Sequence, residues 1–172
     1  MKYKRIIVLG GSGSGKSTLA NRISIYTGYP IYHLDNLLLN SDWSMKEKSE
    51  WLNICKNEFL SKEIGVVDGN YSSVLEARIK WSDLIIFVDM PTRLHLFNVL
   101  KRAIRVSLKL EKRHGTSSDK KETVDYKFLK WILNWNRSHR KKMFAILESI
   151  KDKRVVITNS PRKLNIEKLL KD

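Results

Sequence analysis

A single cysteine, Cys55, occurs in 172 residues, which excludes an internal disulfide and any cysteine-rich zinc module. A reducing compartment, the cytoplasm, is the expected setting. Cys55 itself lies in a segment of helical pattern and reads as a small buried side chain, not a nucleophile. Only three prolines are present, with no Pro/Gly-rich linker, repeat or low-complexity tract, so fibrous, solenoid and linker-strung architectures are excluded. One domain spanning residues 1–172, with its own core, fits the length. No apolar run approaches the span of a bilayer. Met1-Lys-Tyr-Lys-Arg5 imitates the start of a secretory leader, but the apolar run behind it, Ile6–Leu9, is too short to be one. His33, His95, His114 and His139 show no metal-ligand spacing among themselves or with Cys55, so zinc is not expected. His33 lies in a strand-like run and reads as packed or hydrogen-bonded.

Acidic residues are also scarce: 18 against 33 Lys and Arg, a net charge of +15. The imbalance is local. Residues 101–142 hold 14 basic and 4 acidic side chains, two thirds of the excess in a quarter of the chain. Such a segment can be a solvated basic surface. It also suits phosphates, on a small ligand or through non-specific contact with nucleic acid.

Against these absences stands one complete pattern. Gly10-Gly11-Ser12-Gly13-Ser14-Gly15-Lys16-Ser17 fits G-x-x-x-x-G-K-[ST], directly after the apolar run Ile6–Leu9 and directly before a helical pattern. A strand that ends in a glycine-rich turn and opens into a helix directs free N–H groups at an anion. Gly10 through Thr18 would cradle the phosphates of a nucleoside triphosphate, Lys16 would reach the β- and γ-phosphates, and Ser17 would place a hydroxyl on Mg²⁺.

Short β-branched runs alternate with helical patterns along the chain. Arg5–Leu9, Ile31–His33, Gly65–Val67, Leu84–Val88 and Arg154–Ile157 read as buried parallel strands. Leu19, Ala20, Ile23 and Tyr26 mark a first helix, closed at Thr27-Gly28. Residues 46–59 form a second, with Trp51, Leu52, Cys55 and Phe59 on its apolar face. Pro91 opens a long helix whose core stripe would be Leu94, Phe97, Leu100 and Ile104. Residues 109–125 lack periodicity and read as a mobile excursion. Phe128, Trp131, Ile132, Trp135 and Met143 define a further helix, and residues 162–170 a last one. The alternation predicts a three-layer α/β domain with a parallel sheet and ligands at the strands' C-terminal ends.

Carboxylates just past strand ends face the ligand in such a domain. Asp68 closes Gly65-Val-Val-Asp68 and suits a Mg²⁺ ligand opposite Ser17, or an Asp-Gly turn. Asp35 could accept a proton from an acceptor hydroxyl, cap the next helix or bind Mg²⁺ through water. Asp89 reads as a helix cap before Pro91. Asn98, Arg102, Arg105 and Lys109 recur at helical spacing opposite the apolar stripe, as do Lys130, Asn134, Arg137 and Lys141, with Arg140 nearby. Arg102, Arg105 and Arg137 would form a lid over the transferring phosphoryl group, spanning residues 102–140. Lys109, Lys112, Arg113, Lys120 and Lys121 read as plain surface. Most tryptophans fall on apolar faces and read as core. Trp43 and Tyr71 follow loops at the ligand edge and could line an acceptor pocket.

Gly10–Ser17, Tyr32-His-Leu-Asp35 with Trp43, and Val67-Asp-Gly-Asn-Tyr71 with Arg78 form one ordered series. Together with Val99-Leu-Lys-Arg102, Phe128-Leu-Lys-Trp131-Ile-Leu-Asn134 and Arg137, the series resembles the bacterial DNA topology modulation protein family FlaR, a branch of the adenylate-kinase-like P-loop kinases. The resemblance runs over essentially the whole chain. It implies a five-stranded parallel sheet of order 2-3-1-4-5, an acceptor region around residues 35–63 and an arginine-bearing lid. It implies ATP and Mg²⁺, and a small, nucleotide-like acceptor. Nucleoside monophosphate kinases end the third strand in Asp-Gly-Phe/Tyr-Pro-Arg. Asp68-Gly69 match, but Asn70-Tyr71-Ser72 follow, which leaves Arg78 as the candidate phosphate clamp. The Asn159-Ser-Pro-Arg162 turn resembles the adenine-side loop of that superfamily and brings Arg162 to the nucleotide. The family name raises an alternative, a DNA-associated regulatory protein that uses ATP binding or slow hydrolysis as a switch.

Overall fold

A computed structural model describes residues 1–40, 44–108, 130, 133–134 and 138–171. The element order is β1 (Arg5–Gly10), α1 (Lys16–Thr27), β2 (Ile31–His33), α2 (Leu34–Leu38), α3 (Lys48–Cys55), β3 (Gly65–Asp68), α4 (Leu75–Trp81), β4 (Leu84–Val88), α5 (Thr92–Ser107), α6 (Arg140–Ser149), β5 (Arg154–Thr158) and α7 (Ile166–Lys171). The strands form one parallel sheet of order β2-β3-β1-β4-β5, as the sequence and its resemblance imply. β1 lies at its centre, with Val8 paired to Asp68 on one side and to Ile86 on the other.

Parallel strands covered on both faces must be apolar where they are buried, and β1 from Ile6 to Leu9 and all of β4 are. Successive side chains point to opposite faces. Ile6, Val8, Leu84, Ile86 and Val88 therefore join Leu19, Ala20 and Ile23 of α1 and Leu169 and Leu170 of α7. Ile7, Leu9, Ile85 and Phe87 join Leu38, Trp51, Cys55, Phe59, Leu75, Trp81, Met143 and Leu147 on the other face. The result is a three-layer α/β sandwich. The N-terminal edge is tied by Asp83, whose carboxylate accepts from the Lys4 and Arg5 backbone N–H groups at 3.1 and 3.0 Å.

Several expected details differ. Tyr26 is 41% exposed, because α1 turns its Leu19–Ile23 side to the sheet and leaves its last turn in solvent. The second helix is α-helical only over α3 and ends in a π-turn, Lys56–Leu60, which seats Phe59 in the core while Leu52 stays exposed. The last helix starts at Ile166, since residues 161–163 form a turn. The largest departure is α5. Its expected core stripe faces outward, with Phe97 60% and Ile104 59% exposed, while His95 and Val99 are buried. Residues 109–129, with the excursion and Lys109, Lys112, Arg113, Lys120 and Lys121, lie outside the described residues, as do His114, Phe128, Trp131, Ile132 and Trp135.

Phe59 is fully buried, with its ring 5.7 Å from Tyr32 and 5.4 Å from Trp81. Phe59→Ala is expected to cost about 3–5 kcal/mol of unfolding free energy, read by urea titration.

Candidate nucleotide-binding site

The loop after β1 is held by close backbone approach. At Gly13 (φ 75°) a Cβ would stand 2.6 Å from the His95 carbonyl oxygen, and at Gly10 one would stand 2.9 Å from that of Val88. Side chains at either point would push the loop off β4 and α5. The Ser14 N–H donates to the Gly11 carbonyl at 3.2 Å, and Gly15 leads into α1. The Ser14 hydroxyl is buried and has no hydrogen-bond partner among the described residues.

Three side chains grip this loop from outside. Asn70 clasps Gly10 twice, accepting from its N–H at 3.2 Å and donating to its carbonyl at 2.6 Å. Asn98 donates to the Gly13 carbonyl at 2.8 Å, and His95 Nδ1 lies 2.8 Å from the Ser12 carbonyl. A carbonyl can only accept, so His95 carries its proton on Nδ1. In a trans peptide C=O and N–H point opposite ways, so drawing the Ser12 carbonyl toward α5 turns the Gly13 N–H toward the loop interior. Burial pushes the His95 imidazole below its ordinary 6.5, with Lys16 adding to the effect, against the Ser12 and Met90 carbonyls and Asp89. Sequence reasoning assigned His95 no role and saw Asn98 only as part of a polar stripe. The available signal was their i, i+3 spacing on the polar face.

Lys16 and Ser17 open α1, and Asp68 ends β3 beside β1. His33, paired with Asp68 across β2 and β3, donates from Nδ1 to Asp68 Oδ1 at 2.5 Å. Burial alone would raise the Asp68 carboxyl. The His33 hydrogen bond, the charges of Lys16 and His33, and a hydrogen bond from Ser17 outweigh it and hold the group below its ordinary 3.8. An ionised carboxylate and a serine hydroxyl thus adjoin at the mouth of the loop. Both are hard oxygen donors of the kind Mg²⁺ takes.

Asp35 lies in the first turn of α2 and accepts from the Tyr71 hydroxyl at 2.9 Å. The Tyr71 ring meets Trp51 edge-on at 5.2 Å. Trp43 lies outside the described residues. Arg78 is no phosphate clamp: it is fully buried, donating to the carbonyls of Gly69 (2.8 Å), Tyr71 (2.9 Å) and Val74 (3.4 Å). Burial lowers its guanidinium to about 10, against the raising influence of Cys55, Asp68 and Tyr71. The guanidinium shapes the loop after β3 from inside.

Asp89 is not a helix cap either. Its carboxylate takes a two-pronged hydrogen bond from Arg140, Nε at 2.7 Å and Nη2 at 2.8 Å, with Arg140 also 4.6 Å over the Phe144 ring. Arg102 and Arg105 continue the polar face of α5 beyond Asn98, about 6 and 10 Å further along the axis at 1.5 Å per residue. Arg137 lies outside the described residues. Arg162 is exposed on the turn after β5. That turn is pinned by Arg22 of α1, which donates to the Pro161 and Leu164 carbonyls at 2.7 and 3.2 Å, and Pro161 packs against Gly15. Among the described residues no helix is long and apolar enough to cross a membrane.

The sheet order and the glycine-rich loop after β1 make this a P-loop α/β fold. Solved structures share that fold. A candidate kinase from Chloroflexus aurantiacus superimposes with a TM-score of 0.56 at 13% identity, covering 99% of this chain and 96% of that one. An unliganded sugar kinase from Janibacter sp. HTCC2649 gives 0.51 at 14%, covering 98% and 90%. At such identities the likeness is one of fold. No family model matches the chain, and no curated protein does.

If the loop holds ATP, replacing Asn70 or Asn98 by Ala is expected to weaken that binding about tenfold, since each removes a grip worth about 1–2 kcal/mol in holding the loop; calorimetric titration with ATP reads this. Arg78→Met strands three carbonyls and should destabilise the fold by about 2–4 kcal/mol in urea unfolding. Because the folded state disfavours protonated His95, stability should fall as pH drops below the ordinary 6.5 and level off past the depressed value. His95→Asn should flatten that slope in thermal melts between pH 5 and 7.

Proposed function

We propose that this protein is an ATP-binding, Mg²⁺-dependent kinase that transfers a phosphoryl group to a small, nucleotide-like acceptor. The observation that carries the reading is the convergence of Lys16, Ser17 and Asp68 at the open end of a loop gripped from outside at Gly10, Ser12 and Gly13. The N–H groups from Gly11 to Thr18 bind the phosphate oxygens, and Lys16 spans the β- and γ-phosphates. The partnerless Ser14 hydroxyl supports an oxyanion-binding loop, since a buried hydroxyl ordinarily has a partner. Ser17 and Asp68 would hold the metal, with His33 fixing the carboxylate. Bound there, Mg²⁺ would supply charge neutralisation for the phosphates.

Arg102 and Arg105, on the polar face of α5, are the described members of the arginine set that would act on charge developing on the transferring group. Residues 35–63 form the acceptor region. The turn at Arg162, held against Gly15 through Pro161, supports an adenine-side contact.

Lys16→Ala is expected to lower ATP affinity or turnover at least a hundredfold, and an unchanged ATP titration would sink the assignment of the loop. ADP release should depend on added acceptor and be indifferent to DNA. The alternative role, a DNA-associated regulator, would instead give DNA binding that falls steeply with salt and ADP release that responds to DNA.

A further inference from the structure

We infer that a second ligand site, for a compact oxyanion such as a phosphate ester or a polycarboxylate, lies at the N-terminal edge of the sheet. It goes beyond the kinase reading and does not depend on it. An open cleft of about 480 Å³ lies there between the N-terminal segment, the start of β4 and the start of β5. That is a volume small ligands fill. The buried Tyr3 and Ser82 form part of its wall. The phosphate loop begins at the other end of β1, about 16 Å from Arg5 at the rise of a parallel strand.

The charges of the cleft do not cancel. Arg5, Lys151, Lys153 and Arg154 line it against Asp83 and Asp152. Asp83 is already engaged, accepting from the Lys4 and Arg5 backbone N–H groups, with the Arg5 guanidinium 3.8 Å away. Lys153 is likewise used. It donates to the Lys80 and Ser82 carbonyls at 3.0 and 2.7 Å, which ties the segment before β5 to the one before β4.

Three cations remain. Among the described residues Arg5 makes no side-chain hydrogen bond, and Lys151 makes neither hydrogen bond nor ion pair. Arg154 makes one long contact, 3.4 Å to the Tyr3 hydroxyl. Arg5 and Arg154 are half-buried, so their guanidiniums give up hydration without gaining a good acceptor. An oxyanion seated between them supplies acceptors for both forks and relieves the repulsion of like charges. The Tyr3 hydroxyl, which accepts from Arg154, keeps its own proton to donate to the ligand. Asp83 shows this edge already holding one carboxylate, supplied by the chain itself.

Shape and sign set the size of the ligand. A nucleic acid or a lipid surface is met by a continuous basic stripe or patch. A concave wall interrupted by Asp83 and Asp152 instead suits a molecule small enough to sit among the cations.

The test uses the full ¹⁵N-labelled chain, titrated separately with glycerol 2-phosphate and with citrate, each matched by sodium chloride of equal ionic strength. Amide shifts locate the ligand and give its affinity at each position. The expected result is saturable binding of at least one probe, with a Kd of about 1 mM or tighter. The shifts should centre on Tyr3–Arg5, Ser82, Asp83 and residues 151–154, and the probe that binds tells a phosphate ester from a carboxylate. Lys151→Gln, which alters an exposed side chain, should melt like wild type. It and Arg154→Gln should each weaken binding about tenfold, the loss of one charge-assisted hydrogen bond. Lys16→Ala should leave the shifts at this edge unchanged. Shifts confined to Gly10–Thr18 overturn the inference, because the anion then occupies the phosphate loop alone. Binding that both Gln variants retain in full, shifts that chloride reproduces, or binding of neither probe overturns it as well. A DNA oligonucleotide that binds this edge more tightly than either probe replaces the small-ligand site with a nucleic-acid surface.

Discussion

The site depends on how the backbone from Gly10 to Gly15 is held from outside. Asn70 ties Gly10 to the end of β3, while His95 and Asn98 tie Ser12 and Gly13 to α5. The glycines let β4 and α5 come this close, and the three polar side chains fix the carbonyls that would otherwise leave the loop free to turn. A phosphate site made of backbone N–H groups works only if those groups converge before the ligand arrives, because ordering them afterwards costs conformational entropy.

That constraint accounts for the inverted α5. Its polar face is spent on the loop, so the apolar stripe Leu94, Phe97, Leu100 and Ile104 faces outward. Hydrophobic periodicity identifies a helix and its two faces, but it does not say which face is turned to the site. Here two specific hydrogen bonds to backbone carbonyls, with Val99 packed beside them, occupy the inward side. The same inward grip places Arg102 and Arg105 on a line leading away from the phosphate loop.

Arginine use divides by environment. Arg78 is buried and fully engaged by three carbonyls, and Arg140 is locked in a fork with Asp89. Arg22 pins the turn after β5. Each sets a loop at the C-terminal edge of the sheet. The sequence does not tell a buried arginine such as Arg78 from an exposed one; desolvation and hydrogen-bond saturation do.

The residues alone determined the sheet: apolar runs of strand length, punctuated at Gly10, Asp68 and Gly28, allow little else, and the glycine pattern located the tight loop between β1 and α1. These are local properties, fixed by backbone preference and side-chain alternation. The tertiary fold decided what depends on residues far apart in the chain. It bonded His33 to Asp68 across 35 positions and Asn98 to Gly13 across 85, buried Arg78, and gave Asp89 to Arg140. A sequence pattern cannot supply those pairings, because each is a choice among many partners that only packing brings within hydrogen-bond reach.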